Sequence, residues 1–328
     1  MLKKFFIIIA LFIVIVNTGC GFDDNQKPTT ASENYPVTWN ETLNGQAYST
    51  QVNTAPQRAV SMSQATTEMM LALGLKDNMV GTAFKEESIL DTLQKDYDSV
   101  PVLAEKWPSY EILMATKPDF ITGWEVAFTK KGIPADKLQA QNIPIYIPES
   151  MQSTTADLNT LFNDMLTLGK IFNKEDNAIN WVNEQKQILN NVQNKIKDLP
   201  EKRVFVFDSD DNQPFTVFEG YTTNVLKLIG AVNVMSGQNV DKTWAKTSWE
   251  NVVAANPDYI IIVDYENSNR NNDDFEQKVD KLKNNPQLKD ITAIKENHFL
   301  KVKLSEITPG IRTVSALERL AKEIHELK

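Results

Sequence analysis

The sequence predicts two α/β lobes joined by a long helical connector, and three observations carry that expectation. Short apolar runs alternate with helix-periodic segments in both halves of the chain. Between them, the 46 residues from Thr154 to Leu199 contain no proline and no strand pattern. One helix–turn–strand segment also occurs twice at a fixed offset. With 328 residues and 41% apolar side chains, the chain is long enough to give each lobe its own core.

The first element is a leader. Lys3-Lys4 precedes the twelve-residue apolar run Phe5 to Val16, which is too short to cross a bilayer of about 30 Å but suits an export signal. Asn17-Thr18-Gly19-Cys20 follows, and the small residue before the only cysteine resembles the lipobox of bacterial lipoproteins, with Asn17 where a branched apolar residue is usual. Residues 1–19 are therefore expected to be a signal peptide, and Cys20 the lipidation site and anchor to the membrane. Gly21 to Asn34 is polar and reads as a flexible tether, so residues 20–55 form a tether and short extension with a turn at Asn44-Gly45.

The first lobe is expected over 56–172, with strands at Arg58–Met62, Met79–Thr82, Asp119–Gly123 and Pro144–Ile147. A backbone helix is expected over 173–199, its apolar stripe formed by Ile179, Val182, Ile188, Leu189, Val192 and Ile196. The second lobe, 200–328, carries strands at Arg203–Asp208, Phe215–Phe218, Tyr259–Asp264 and His298–Lys303. The repeated segment runs from Ser109-Tyr110-Glu111 to Pro118-Asp119-Phe120-Ile121, echoed by Ser248-Trp249-Glu250 to Pro257-Asp258-Tyr259-Ile260. Each copy has a capping serine, a glutamate in the first turn and a Pro-Asp turn into a buried strand. The lobes therefore read as pseudo-symmetric.

Composition excludes several functions. A formal charge of −9 lacks the clustered cations that replace counterions on DNA or RNA. One cysteine forbids an internal disulfide, and His298 and His325 alone cannot build a bare transition-metal site or a histidine-based catalytic centre. No resident cofactor is expected. An envelope enzyme using carboxylates is the rival class, and a bare-metal receptor is the weakest.

At this point the chain resembles the solute-binding proteins of ABC importers for iron siderophores, haem and cobalamin. The resemblance rests on Pro56-Gln57-Arg58-Ala59-Val60-Ser61-Met62-Ser63 with Thr67-Glu68 and Ala72-Leu73-Gly74-Leu75, on the two glutamate-to-Pro-Asp segments, and on Thr308-Pro309-Gly310-Ile311-Arg312. It implies two Rossmann-like α/β lobes joined by one backbone α-helix, with the ligand cleft between them. It implies a monomeric, lipid-anchored extracytoplasmic receptor rather than an enzyme, handing a bulky metal chelate to a permease with its ATPase subunits. A ferric siderophore ranks first as cargo; cobalamin or haem is the alternative.

The resemblance also implies roles. Glu111 and Glu250 correspond to the acidic residues that dock each lobe on the permease, with Glu68 a weaker third candidate. Trp124, Trp244 and Phe215 match aromatic pocket positions, and Phe84 and Trp107 match less closely. Arg312 is expected near the cleft, where a guanidinium pairs with an anionic group. Lys85, Lys130 and Lys246 are minor candidates for charge at the rim.

Overall fold

The computed structural model describes residues 34–43, 45–210, 212–238, 240, 242–265 and 274–327. The expected signal segment, Cys20 and most of the expected tether lie outside the described residues.

Val37, Thr38, Trp39 and Thr42 favour strand β1 (Val37–Leu43), which pairs antiparallel with β2 (Gln46–Val52), where Tyr48 does the same. Leu43 lies opposite Gln46, and Gly45 takes φ 76° in the turn. This hairpin is part of the first lobe, because its side chains bind that lobe's backbone. Trp39 Nε1 donates to Ile145 O at 2.9 Å, Tyr35 Oη to Ile171 O at 2.7 Å, and the Glu41 carboxylate accepts from Ile147 N at 2.8 Å. The hairpin, expected as part of a short extension before residue 56, thus packs on the first lobe.

The first-lobe strands are β3 (Ala59–Ser61), β4 (Met79–Ala83), β5 (Val102–Ala104), β6 (Phe120–Thr122) and β7 (Ile145–Tyr146). They form one parallel sheet in the order β5-β4-β3-β6-β7. Helices α1 (Gln64–Ala72), α2 (Asp91–Tyr97), α3 (Tyr110–Ala115) and α4 (Ala135–Gln139) accompany these strands. The chain then forms α5 (Leu158–Ile171) and the connector α6 (Glu175–Ile196).

The second lobe contains β8 (Lys202–Phe207), β9 (Ser209–Asp210), β10 (Pro214–Val217), α7 (Tyr221–Lys227), β11 (Ala231–Asn233), β12 (Trp244–Lys246), α8 (Trp249–Ala255) and β13 (Tyr259–Asp264). It ends with α9 (Phe275–Asn284), α10 (Thr292–Lys295), β14 (Phe299–Lys303), α11 (Leu304–Ile307) and α12 (Thr313–Ile324). Its main sheet is parallel, in the order β11-β8-β13-β14, and a small antiparallel sheet has the order β12-β10-β9.

Both parallel sheets reverse direction of strand addition beside the first strand of the lobe, between β3 and β6 and between β8 and β13. Open sheets of this kind leave a crevice at the carboxyl ends of such strands. The duplicated segment sits at matching places. Asp119 accepts from Gln57 N and Arg58 N, each at 2.8 Å, while Asp258 accepts from Arg203 N at 2.8 Å. The arginines reply in kind, Arg58 to Thr116 O and Lys117 O and Arg203 to Ala255 O. Each lobe therefore closes the end of its first strand with the same arginine–aspartate device.

Helix α6 has 22 residues, about 33 Å at 1.5 Å per residue. Near its start Asn177 Nδ2 donates to Leu73 O of the first lobe; near its end Gln193 Nε2 donates to Leu228 O of the second. One buried cluster continues from Met69 and Phe120 through Leu168 and Val182 to Val206 and Leu317, so both lobes share a core along the helix. The predicted stripe needs one correction. Ile179 is exposed, and Ala178 takes its place where the close approach of Gly169 leaves no room for more than a methyl.

Candidate ligand cleft

The carboxyl ends of the two parallel sheets face a common cavity of about 210 Å³. From the first lobe it is lined by Gln64 and Ala65 after β3, Phe84 to Glu87 after β4, Glu105 and Lys106 after β5, and Trp124 after β6. Tyr265 after β13, with Leu304, Ser305 and Thr308 at α11, closes it from the second lobe.

Local structure fixes the aromatic wall. Phe84 holds φ 58°, a left-handed conformation unfavourable for a bulky side chain, and strain of this kind persists only where the surroundings impose it. Its ring stacks on Trp107 at 4.9 Å and 18°, and Trp107 Nε1 donates to Met62 O at 3.1 Å. Trp107 is therefore a brace behind Phe84 and does not itself line the cavity. Gln64 secures the same loop: its side-chain oxygen accepts from Glu86 N at 2.8 Å and Glu87 N at 2.9 Å. Trp124 lines the cavity, and its buried indole N–H has no hydrogen-bond partner among the described residues.

A buried ion network joins the lobes at the cavity. Arg312, just before α12, binds Glu68 of α1 in a bidentate pair along one guanidinium edge, Nε to Oε2 at 2.8 Å and Nη2 to Oε1. A third contact reaches Glu87 Oε1 at 3.1 Å, and a fourth reaches Ser88 O at 2.7 Å. Side-chain exposure is 5% for Arg312, 3% for Glu68 and 6% for Glu87. Ser305 of α11 donates to Glu87, and Lys303 Nζ to Ser88 Oγ at 2.9 Å. Burial pushes the Glu87 carboxyl above the usual carboxylate value against the opposing pull of Ser305 and Arg312. Burial also disfavours the Arg312 cation, but Glu68 and Glu87 together outweigh that and raise its pKa.

These contacts relocate several predicted residues. The expected ligand partner Arg312 is one step behind the cavity wall, with its charge met by the chain's own carboxylates. Glu68 is its principal partner and is 2% exposed, which removes it as a docking candidate. Phe215 and Trp244 face each other across β10 and β12 at 6.2 Å and 23°, stacked on the small second-lobe sheet, and neither lines this cavity. Lys85 lines it, whereas Lys130 and Lys246 are exposed elsewhere. Glu111 and Glu250 are exposed on the first turns of α3 and α8, helices capped by Ser109 and Ser248. Hydrogen bonds from its own backbone N–H and from Ser109 hold Glu111 below the ordinary carboxylate value.

Sequence reasoning passed over Gln64, Glu87, Ser305 and Tyr265. The Tyr265 hydroxyl donates to Asp208, and the buried Lys278 ammonium lies 4.9 Å from the Tyr265 ring while donating to Asp208 O and to Val263 O. No residue pattern marks this contact; Asp208 and Tyr265 meet because β8 and β13 end side by side. Among the described residues no three His, Cys, Asp or Glu side chains are placed to hold a metal ion.

Comparison with known proteins agrees with the architecture. A periplasmic binding protein from Veillonella parvula is 64% identical and superposes with a TM-score of 0.87, covering 90% of this chain and 99% of its own. An uncharacterized ABC transporter substrate-binding lipoprotein of Bacillus subtilis, YvrC, is 25% identical over 96% of this chain and 95% of its own. The vitamin B12-binding protein of Yersinia pestis is 25% identical over 63% of this chain and 70% of its own. Residues 60–303 match the family model described as periplasmic binding protein, which spans both sheets and α6. The chain belongs to the periplasmic binding protein family, among the substrate-binding proteins of ABC importers.

Proposed function

We propose that the protein is a lipid-anchored extracytoplasmic receptor that captures a metal chelate, a ferric siderophore first and cobalamin or haem second, and delivers it chemically unchanged to its permease. The observation that supports this most is the cavity between the facing strand ends, walled by Phe84 and Trp124. Flat rigid rings bury much ligand area with little loss of rotamer freedom. The substrate-binding lipoprotein and the vitamin B12-binding protein among its relatives favour the same reading.

At about 210 Å³ the cavity is below the roughly 300–1,000 Å³ of ordinary ligand pockets. A bulky chelate therefore enters with the mouth widened, or seats only one arm inside. Glu111 and Glu250 serve as paired docking points: exposed carboxylates at equivalent places on two lobes can report both lobe positions to a two-fold partner. Titration of the mature protein with ferric siderophores, cyanocobalamin and haemin, followed by tryptophan fluorescence and calorimetry, tests the receptor reading. Binding of at least one supports it, and a flat response to all of them overturns it. Glu111→Arg with Glu250→Arg is expected to leave solution affinity unchanged and stop cellular uptake; unchanged uptake removes the docking assignment.

A further inference from the structure

Resting on the receptor reading, we infer that the cleft selects chelates that are neutral or singly cationic and discriminates against polyanionic ones. The argument begins with Arg312. Four of its contacts go to protein oxygens: two to Glu68, one to Glu87 and one to Ser88 O. A guanidinium has five N–H donors, so little of its donor capacity remains for a ligand. Its charge also lies between two carboxylates that are themselves almost wholly buried.

The lining carries the same balance. Glu86, Glu87 and Glu105 set three carboxylates against the ammonium groups of Lys85 and Lys106. On the second-lobe side, cations are again matched by acids or dipoles. Lys278 is bound to two backbone carbonyls beside Asp208, and Lys301 Nζ lies 2.6 Å from Asp264. Lys303 faces Ser88 near Glu87. Among the described residues the cavity has no surplus of positive charge. A chelate carrying several negative charges would lose its hydration against a lining in which three carboxylates outnumber two ammonium groups, which is the arrangement that rejects a partner. A neutral chelate meets no such penalty. It also meets the rings of Phe84 and Trp124, and the Trp124 indole N–H, buried without a partner among the described residues, becomes a donor for a neutral carbonyl or hydroxamate oxygen once the ring turns toward the ligand.

The test titrates the mature protein with four probes at one ionic strength: a neutral ferric trihydroxamate, a linear ferric trihydroxamate bearing one ammonium group, a ferric tris-catecholate of charge −3, and cyanocobalamin. The expected result is that the tightest probe is neutral or cationic and that the tris-catecholate binds about tenfold more weakly or worse. Glu87→Gln, which removes a lining charge and partly frees Arg312, is expected to narrow that ratio, with its fold checked by circular dichroism. Tightest binding by the tris-catecholate overturns the charge assignment while leaving the receptor reading standing. A ratio that Glu87→Gln leaves unmoved overturns the part given to the Arg312 network. No response to any of the four removes the receptor reading and this inference with it.

Discussion

Breaking the ion network from the first-lobe side offers the sharpest test of how the lobes are held. In Glu68→Leu, Arg312 keeps Glu87 and Ser88 O but loses its bidentate partner, at a site where both side chains are at most 5% exposed. Removing one member of a buried pair costs about 3–5 kcal/mol because the other charge is left uncompensated. With Glu87 still in place, the low end applies, about 3 kcal/mol. Arg312→Met is more damaging, about 4–5 kcal/mol, because Glu68 and Glu87 then share a buried site without a cation. In the double variant Glu68→Leu with Arg312→Met, only Glu87 remains, still accepting from Ser305, and the loss falls to about 2 kcal/mol. The double variant is thus expected to be more stable than either single one, a large non-additivity. Urea unfolding followed by circular dichroism, with midpoints compared at constant slope, measures all three. A loss under about 1 kcal/mol for Glu68→Leu, or additive losses in the double variant, refutes the assignment of this network as the interlobe clasp.

Three further predictions concern the first lobe. Burial raises the Glu41 carboxyl to about 7, so the folded protein holds that proton more tightly than the unfolded chain does. Its contribution therefore favours the folded state below about pH 4.5 and is lost as pH rises to about 7, an effect of order 3 kcal/mol. Melting temperatures of wild type and Glu41→Gln should diverge over that range, with the variant relatively more stable at pH 8; parallel curves would count against it. A methyl added at Gly123 would lie 2.7 Å from Met62 Cβ, so Gly123→Ala should cost about 1–3 kcal/mol and shift the emission of the adjacent Trp124. Unchanged stability and emission would show the packing to be looser than this. Gln64→Ala removes both hydrogen bonds that pin the loop at 86–87 and should speed amide exchange there while leaving α6 protected. Equal acceleration in both would mean that loop and helix open as one unit.

The parts of the fold legible in the sequence are those buried on both faces. Strands β3, β4, β6, β8 and β13 read as apolar runs because helices cover both sides of a parallel sheet. The edge strands β5 and β11 have only three residues each, starting just after Pro101 and Gly230, and so give no periodic signal. The β1–β2 hairpin was hidden by its polar residues. Its turn was legible, but Trp39, Tyr35 and Glu41 are held by backbone groups more than a hundred residues away. The site divides the same way. Trp124 and Phe84 were reachable because each directly follows a recognisable strand. Phe215 and Trp244 looked equally suitable, yet the register places them diagonally across β10 and β12, Phe215 opposite Lys246 and Trp244 opposite Val217, where the two rings stack on each other. Arg312 and Glu68 are 244 positions apart, and only the approach of α12 to α1 makes an apparent ligand-binding arginine a structural one.

The cleft is held at two unlike places, and their difference decides what yields when a ligand enters. Helix α6 packs into a core shared with both lobes, so bending it sharply would break its hydrogen-bond ladder and open that core together. The loop after β4 is held by separable polar contacts instead of a continuous core: two Gln64 hydrogen bonds, each worth about 0.5–1.5 kcal/mol, and the contacts of Glu87 and Ser88 with Arg312, Ser305 and Lys303, while Phe84 carries backbone strain of order 1–3 kcal/mol that movement would relieve. That loop also supplies Glu87, the lining carboxylate bound to both Arg312 and Ser305 of the other lobe. A ligand pressing on Phe84 therefore acts on the link between lobes without bending the connector.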